Sequence, residues 1–82
     1  MRVKILYFAA VREIVRCDEE QVDLPPDVTD VASFVAWIAQ ARPALATHVP
    51  SLRIARNEEF AAGTDLLREG DVLALIPPVS GG

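Results

Sequence analysis

An α+β fold, one mixed sheet with its helices packed on one face, is predicted by three features of this 82-residue chain. The most apolar strand-like runs lie at its two ends, RVKILYF at residues 2–8 and VLALI at residues 72–76. Two segments between them carry helical periodicity, and the remaining apolar stretches alternate or are cut short by turn residues. Terminal strands apolar on both faces belong in the middle of a sheet, side by side and parallel.

Arg2 to Phe8 reads as a strand because Val3, Ile5 and Tyr7 alternate with Lys4, Leu6 and Phe8. Ala9 to Arg16 is a short helix whose Val11, Ile14 and Val15 sit at i, i+3 and i+4. Val22 and Leu24 alternate with Gln21 and Asp23 in a half-buried strand from Glu20 to Leu24, which Pro25-Pro26 stops. The main helix is expected to start at a Thr29 cap, with Asp30 in its first turn, and to close at Pro43. Val31, Phe34, Val35, Ile38 and Ala41 form its core stripe, with Trp37 at the core edge. Pro43 to Pro50 is a loop with a helical turn around Leu45. Leu52 to Arg56 is a third long strand, Asn57-Glu58 a turn, and Phe60 the centre of a very short strand ended by Gly63. In the turn-rich run from Thr64 to Asp71, Asp65 accepts backbone N–H groups and Gly70 supplies a left-handed residue. Leu66 and Leu67 are both expected to plug the core.

Length and composition narrow the function classes. A chain this short is one domain and buries only about 60 to 65% of its unfolded surface, so its apolar side chains are needed for the core. Little remains to wall a deep catalytic cleft, and a carrier or binding module is the better expectation. Eight basic against twelve acidic residues give a net charge of −4, with no Lys/Arg cluster to neutralise nucleic-acid phosphates or an anionic membrane. A lone Cys17 makes no internal disulfide, and the acidic residues after it disfavour a reactive thiolate. The single His48 and the absence of ligand spacing predict no metal site. The N-terminal apolar run, interrupted by Lys4, is too short for a signal peptide or a membrane span, so the expected compartment is the cytoplasm.

Pro77-Pro78-Val79-Ser80-Gly81-Gly82 divides the chain into a globular part, residues 1–76, and a tail, residues 77–82. A frayed terminus is one reading of it. The other is a probe: prolines stiffen its root, glycines strip side chains from its tip, and six residues reach roughly 20 Å at most, enough to thread a narrow tunnel in another protein. Such a tail delivers one reactive group, the Gly82 carboxylate.

With that tail, and with Phe8-Ala9 followed by Val11-Arg12-Glu13, Ala55-Arg56-Asn57, and Leu67 through Val72 (LREGDV), the whole chain resembles the small, sulfur-carrier subunit of molybdopterin synthase, the MoaD type of ubiquitin-like protein. The resemblance implies the ubiquitin-like β-grasp fold. It also implies a chemistry: an E1-like enzyme of MoeB type adenylates Gly82 with ATP, and a sulfur donor replaces AMP to leave a C-terminal thiocarboxylate. Its sulfur then passes to cyclic pyranopterin monophosphate in the large subunit, of MoaE type, within a heterotetramer. The chain would bind no cofactor itself and carry sulfur covalently, its catalytic groups lying in the partner. Many members close the first helix with glycine, where this chain has Arg16-Cys17. Rival readings are a carrier for thiamine thiazole synthesis or tRNA thiolation, a ubiquitin-like modifier conjugated to lysines, and an inert interaction domain.

Strand parity sends Phe8 to the face opposite Val3, Ile5 and Tyr7, while Ile76 adjoins the tail and Phe60 stands on a strand too short to hide it. These three are either core residues or the partner-binding patch. The resemblance, whose members dock through the sheet beside the C-terminus, favours the patch.

Overall fold

Strand β1 (Arg2–Tyr7) opens the chain and lies second in a five-stranded sheet ordered β2-β1-β5-β3-β4. The other strands are β2 (Glu19–Asp23), β3 (Arg53–Arg56), β4 (Glu59–Phe60) and β5 (Val72–Ile76), with helices α1 (Ala9–Val15) and α2 (Val31–Ala41) between. The computed structural model describes residues 1–78; the tail residues Val79, Ser80, Gly81 and Gly82 lie outside the described residues. β1 and β5 run parallel, Ile5 opposite Leu73 and Tyr7 opposite Leu75, and every other pairing is antiparallel. The terminal strands are thus neighbours, as their apolar character on both faces predicts.

Register decides which side chains make the core. Val3, Ile5 and Tyr7 of β1, Leu73 and Leu75 of β5 and Ile54 of β3 share the face covered by the helices, and all are buried. Val11 of α1 and Val31, Phe34 and Ile38 of α2 close over them, with Leu45 from the first of two 3₁₀ turns (Pro43–Leu45 and Val49–Ser51) fully buried beside them. Trp37 lies at the core edge, its ring centroid 6.2 Å from that of Phe34. Ala41 is exposed rather than part of the stripe, because α2 ends there.

The cap of α2 is Asp30, not Thr29. Asp30 has extended backbone, its Oδ1 accepts the Ser33 amide at 2.8 Å, and the Ser33 hydroxyl accepts the Asp30 amide at 3.1 Å, closing a reciprocal capping box. Those bonds from Ser33 hold the Asp30 carboxyl below its ordinary value. Thr29 instead offers its carbonyl to the Leu67 amide. Leu66 likewise departs from expectation. It sits in an extended bridge with Asp30, where successive side chains point opposite ways, so Leu67 is buried and Leu66 is 62% exposed.

Candidate docking face and tail root

On the side away from the helices the strands present three rungs. Lys4 lies opposite Val72, Leu6 opposite Ala74 and then Ala55 and Phe60, and Ile76 opposite Arg53, with Phe8 continuing the β1 parity. Ala74 and Ala55 are too short to rise above the backbone and form a floor. Phe8 at 44% and Phe60 at 61% exposure stand as walls around it. The result is a shallow apolar concavity of about 510 Å³, lined by Leu6, Phe8, Ala55, Phe60, Ala74 and Ile76 among others. Phe8, Phe60 and Ile76, named from sequence as the partner-binding patch, therefore lie on one surface.

Local chain geometry exposes Phe8. It is the first residue past β1 and has extended backbone at φ −119°, while Ala9 turns left-handed at φ 49° to start α1. Phe8 is left at the sheet's end, beside the strand from which the tail departs. A second depression, lined by Phe8, Ala9, Ile76, Pro77 and Pro78, joins the patch to the tail root.

Alternation also places Arg53 on this face, a residue that apolar patterning alone passes over. Its guanidinium carbon sits 3.9 Å from the centre of the Phe60 ring. Towards the β2 edge of the same face the charges are matched in pairs, Arg2 with Asp23 at 3.2 Å and Lys4 with Glu19 at 3.1 Å. Among the described residues no three His, Cys, Asp or Glu side chains gather to hold a metal ion, and no helix is long and apolar enough to cross a membrane.

The hairpin behind the patch is set by Asn57 and Glu58, both left-handed at φ 51° and 73°, the geometry of a tight two-residue turn between β3 and β4. That turn puts Phe60 opposite Ala55. Gly70, at φ 85°, makes the corresponding turn into β5.

Over its whole length the chain is similar to known proteins. A model of the ThiS family matches residues 5–82. The chain belongs to the ThiS family. A molybdopterin synthase sulfur carrier subunit of Chlamydomonas reinhardtii is 37% identical over 84 residues, covering all of both chains. Among solved structures, SAMP1 of Haloferax volcanii superposes with a TM-score of 0.84 at 32% identity over the whole of both chains. A chain of the complex of subunits 1 and 2 of the molybdopterin-converting factor of Helicobacter pylori matches with a TM-score of 0.72 at 26% identity, again over the whole of both chains. The fold is the ubiquitin-like β-grasp, as the resemblance implied.

Within this family member, two of the motifs that carried the resemblance do structural work together. Asn57 Nδ2 donates to Asp71 Oδ1 at 2.9 Å, and Asn57 Oδ1 accepts the Val72 amide at 2.9 Å. Arg56-Asn57 and Gly70-Asp71 thus knot the β3–β4 hairpin to the start of β5. The turn after α1 keeps its left-handed form without glycine: Arg16 adopts φ 62° and ψ 41°, and its amide caps the Arg12 carbonyl at 2.7 Å.

Proposed function

We propose that this chain is the sulfur-carrier subunit of a molybdopterin synthase, a protein cosubstrate working in the cytoplasm rather than an enzyme by itself. One observation carries the reading: the apolar face holding Phe8, Phe60 and Ile76 runs without interruption into the root of the tail at Pro77 and Pro78. A partner that swallows the tail must seat itself there, and apolar side chains raised around an alanine floor supply the area for it. Full-length likeness to a molybdopterin synthase sulfur carrier subunit, and to a subunit solved in complex with its second subunit, supports the same choice.

The chemistry follows from the terminal group. A carboxylate is a poor acyl donor because oxide would have to leave. Attack of the Gly82 carboxylate on the α-phosphorus of ATP, in an E1-like enzyme of MoeB type, expels pyrophosphate and leaves an acyl adenylate whose leaving group is AMP. A sulfur donor then displaces AMP and leaves a thiocarboxylate. In the large subunit, of MoaE type, that sulfur bonds to cyclic pyranopterin monophosphate, and water cleaves the acyl carbon–sulfur bond so that Gly82 returns as carboxylate. Pro77 and Pro78 stiffen the tail's departure, Val79 and Ser80 extend it, and Gly81 leaves room at a narrow entrance. On this reading the sulfur is carried covalently with no bound cofactor, ATP is consumed by the activating enzyme, and the catalytic groups belong to the large subunit.

A modifier role is the second reading, favoured by the likeness to SAMP1, a small archaeal modifier protein. Intact-mass spectrometry after coexpression with an activating enzyme and a sulfur donor separates the two. Exchange of one oxygen for sulfur at Gly82 is expected, with sulfur transfer lost on deletion of Gly82 while the fold persists. An isopeptide-linked ladder, or transfer that survives the deletion, overturns the carrier reading.

A further inference from the structure

The open face is not purely apolar. Arg53 stands directly opposite Ile76 at the tail root, and its guanidinium lies 3.9 Å from the Phe60 ring centre. Stacking engages the flat face of a guanidinium and leaves its in-plane N–H edge available, the edge that grips a carboxylate with two parallel bonds. Among the described residues Arg2, Lys4, Arg12 and Arg42 each meet a carboxylate, while Arg53 makes neither a side-chain hydrogen bond nor an ion pair; Arg16 and Arg68 are likewise unpaired but line other depressions. Phe60 also lines a second concavity on the other side of the hairpin, between β3 and the start of α2, where Arg53 joins Val31, Val35 and Leu52. Arg53 is therefore a cation held at the ridge between two apolar depressions, one of them the candidate docking site.

We propose that Arg53 is the charge-selective contact of the docking face, taking a carboxylate of the protein partner that accepts the tail. This rests on the docking reading above. Apolar contact alone discriminates weakly among partners, while a fixed cation beside it rejects a surface that lacks an acidic residue in register. In a chain of net charge −4, an unpaired cation beside the tail root also offsets the chain's own negative field where a partner carboxylate approaches.

Calorimetric titration of the purified large subunit with wild type, Arg53→Met, Arg53→Lys, Arg53→Glu and Phe60→Ala, at several salt concentrations, tests this. Arg53→Met keeps an apolar stem against Phe60 and removes the charge. Its affinity is expected to fall roughly tenfold with a shallower salt dependence, Arg53→Glu to fall further and Arg53→Lys to keep part of the affinity, all with unchanged thermal midpoints. If Arg53→Met binds with the affinity and salt dependence of wild type while Phe60→Ala loses binding, the assignment of Arg53 is overturned and the docking reading stands. If wild type fails to bind, or Phe60→Ala binds as wild type does, the docking reading fails and this inference with it.

Discussion

Asn57 Nδ2 donates to Asp71 Oδ1 at 2.9 Å across fourteen residues of chain, joining the hairpin that carries Phe60 to the strand that carries the tail. The Asp71 side chain is buried and its Oδ2 accepts the Arg68 amide at 2.8 Å. Asn57→Ala strands one carboxylate oxygen and the Val72 amide, and places a Cβ without a local hydrogen-bonding group at φ 51°. A loss of about 2 to 3 kcal/mol is expected in urea unfolding. Asn57→Gly, which tolerates the backbone but loses the same bonds, is expected to lose less; equal stability of wild type and both variants would show that the knot contributes nothing.

Tyr7, Glu20 and Arg42 tie the core to the edge of the sheet and to the end of α2. The Tyr7 hydroxyl donates to Glu20 Oε1 at 2.7 Å, and Arg42 Nη2 donates to Glu20 Oε2. Burial pushes the Glu20 carboxyl up, but the hydrogen bonds from Arg42 and Tyr7 together outweigh it and hold the group below its ordinary value of 4.5. The folded state therefore binds the proton more weakly than the unfolded state, and the contribution is complete above 4.5 and lost as pH falls below it. Burial, and then the Glu20 carboxylate, push the Tyr7 hydroxyl well above its ordinary 10.0. Here the unfolded chain ionises first, so stability is expected to fall as pH rises past 10. Unfolding midpoints across pH check both limbs: Glu20→Gln should flatten the acid one and Tyr7→Phe the alkaline one.

Arg16 holds a left-handed conformation at φ 62°, which costs a residue with a Cβ roughly 1 to 2 kcal/mol. Glycine removes that strain and gives back part of the gain as unfolded-state entropy. Arg16→Gly is expected to raise stability by about 0.5 to 1 kcal/mol in chemical denaturation, since Arg16 is exposed and its amide bond to the Arg12 carbonyl survives the change.

How much of the fold is legible in the sequence depends on the range of the interaction concerned. Both terminal strands were visible because VLALI and RVKILYF advertise burial on two faces, and their adjacency followed. The expected cap of α2 lies one residue early because Thr29 and Asp30 both have capping side chains; Ser33, three residues after Asp30, is the local signal that decides between them. Leu66 escapes a local reading because the run from Thr64 to Asp71 carries no periodicity, and its side chain is aimed by a long-range bridge to Asp30. Parity alone brought Phe8 to the open face, yet the floor of Ala55 and Ala74 and the stacking of Arg53 on Phe60 depend on which strands are neighbours. That order is set by tertiary packing rather than by any one segment.

The patch itself gives the most direct test of the docking face. If Phe8, Phe60 and Ile76 served the core, truncating them would unfold the domain before it affected any partner. Their exposure argues otherwise, since Phe60 keeps 61% and Phe8 44% of its surface in contact with solvent. Phe60→Ala is expected to shift the free domain's stability by no more than about 0.5 kcal/mol, as for an ordinary surface change. Ile76→Ala, half-buried at the end of β5, is expected to cost about 1 kcal/mol. Binding to the large subunit should respond more strongly, with each of Phe8→Ala, Phe60→Ala and Ile76→Ala losing about 1 to 4 kcal/mol where the partner covers these side chains. Calorimetric titration beside an unfolding curve for each variant separates the two effects. Unchanged affinity in all three, or a stability loss large enough to account for the weakened binding, would return these residues to a purely structural role.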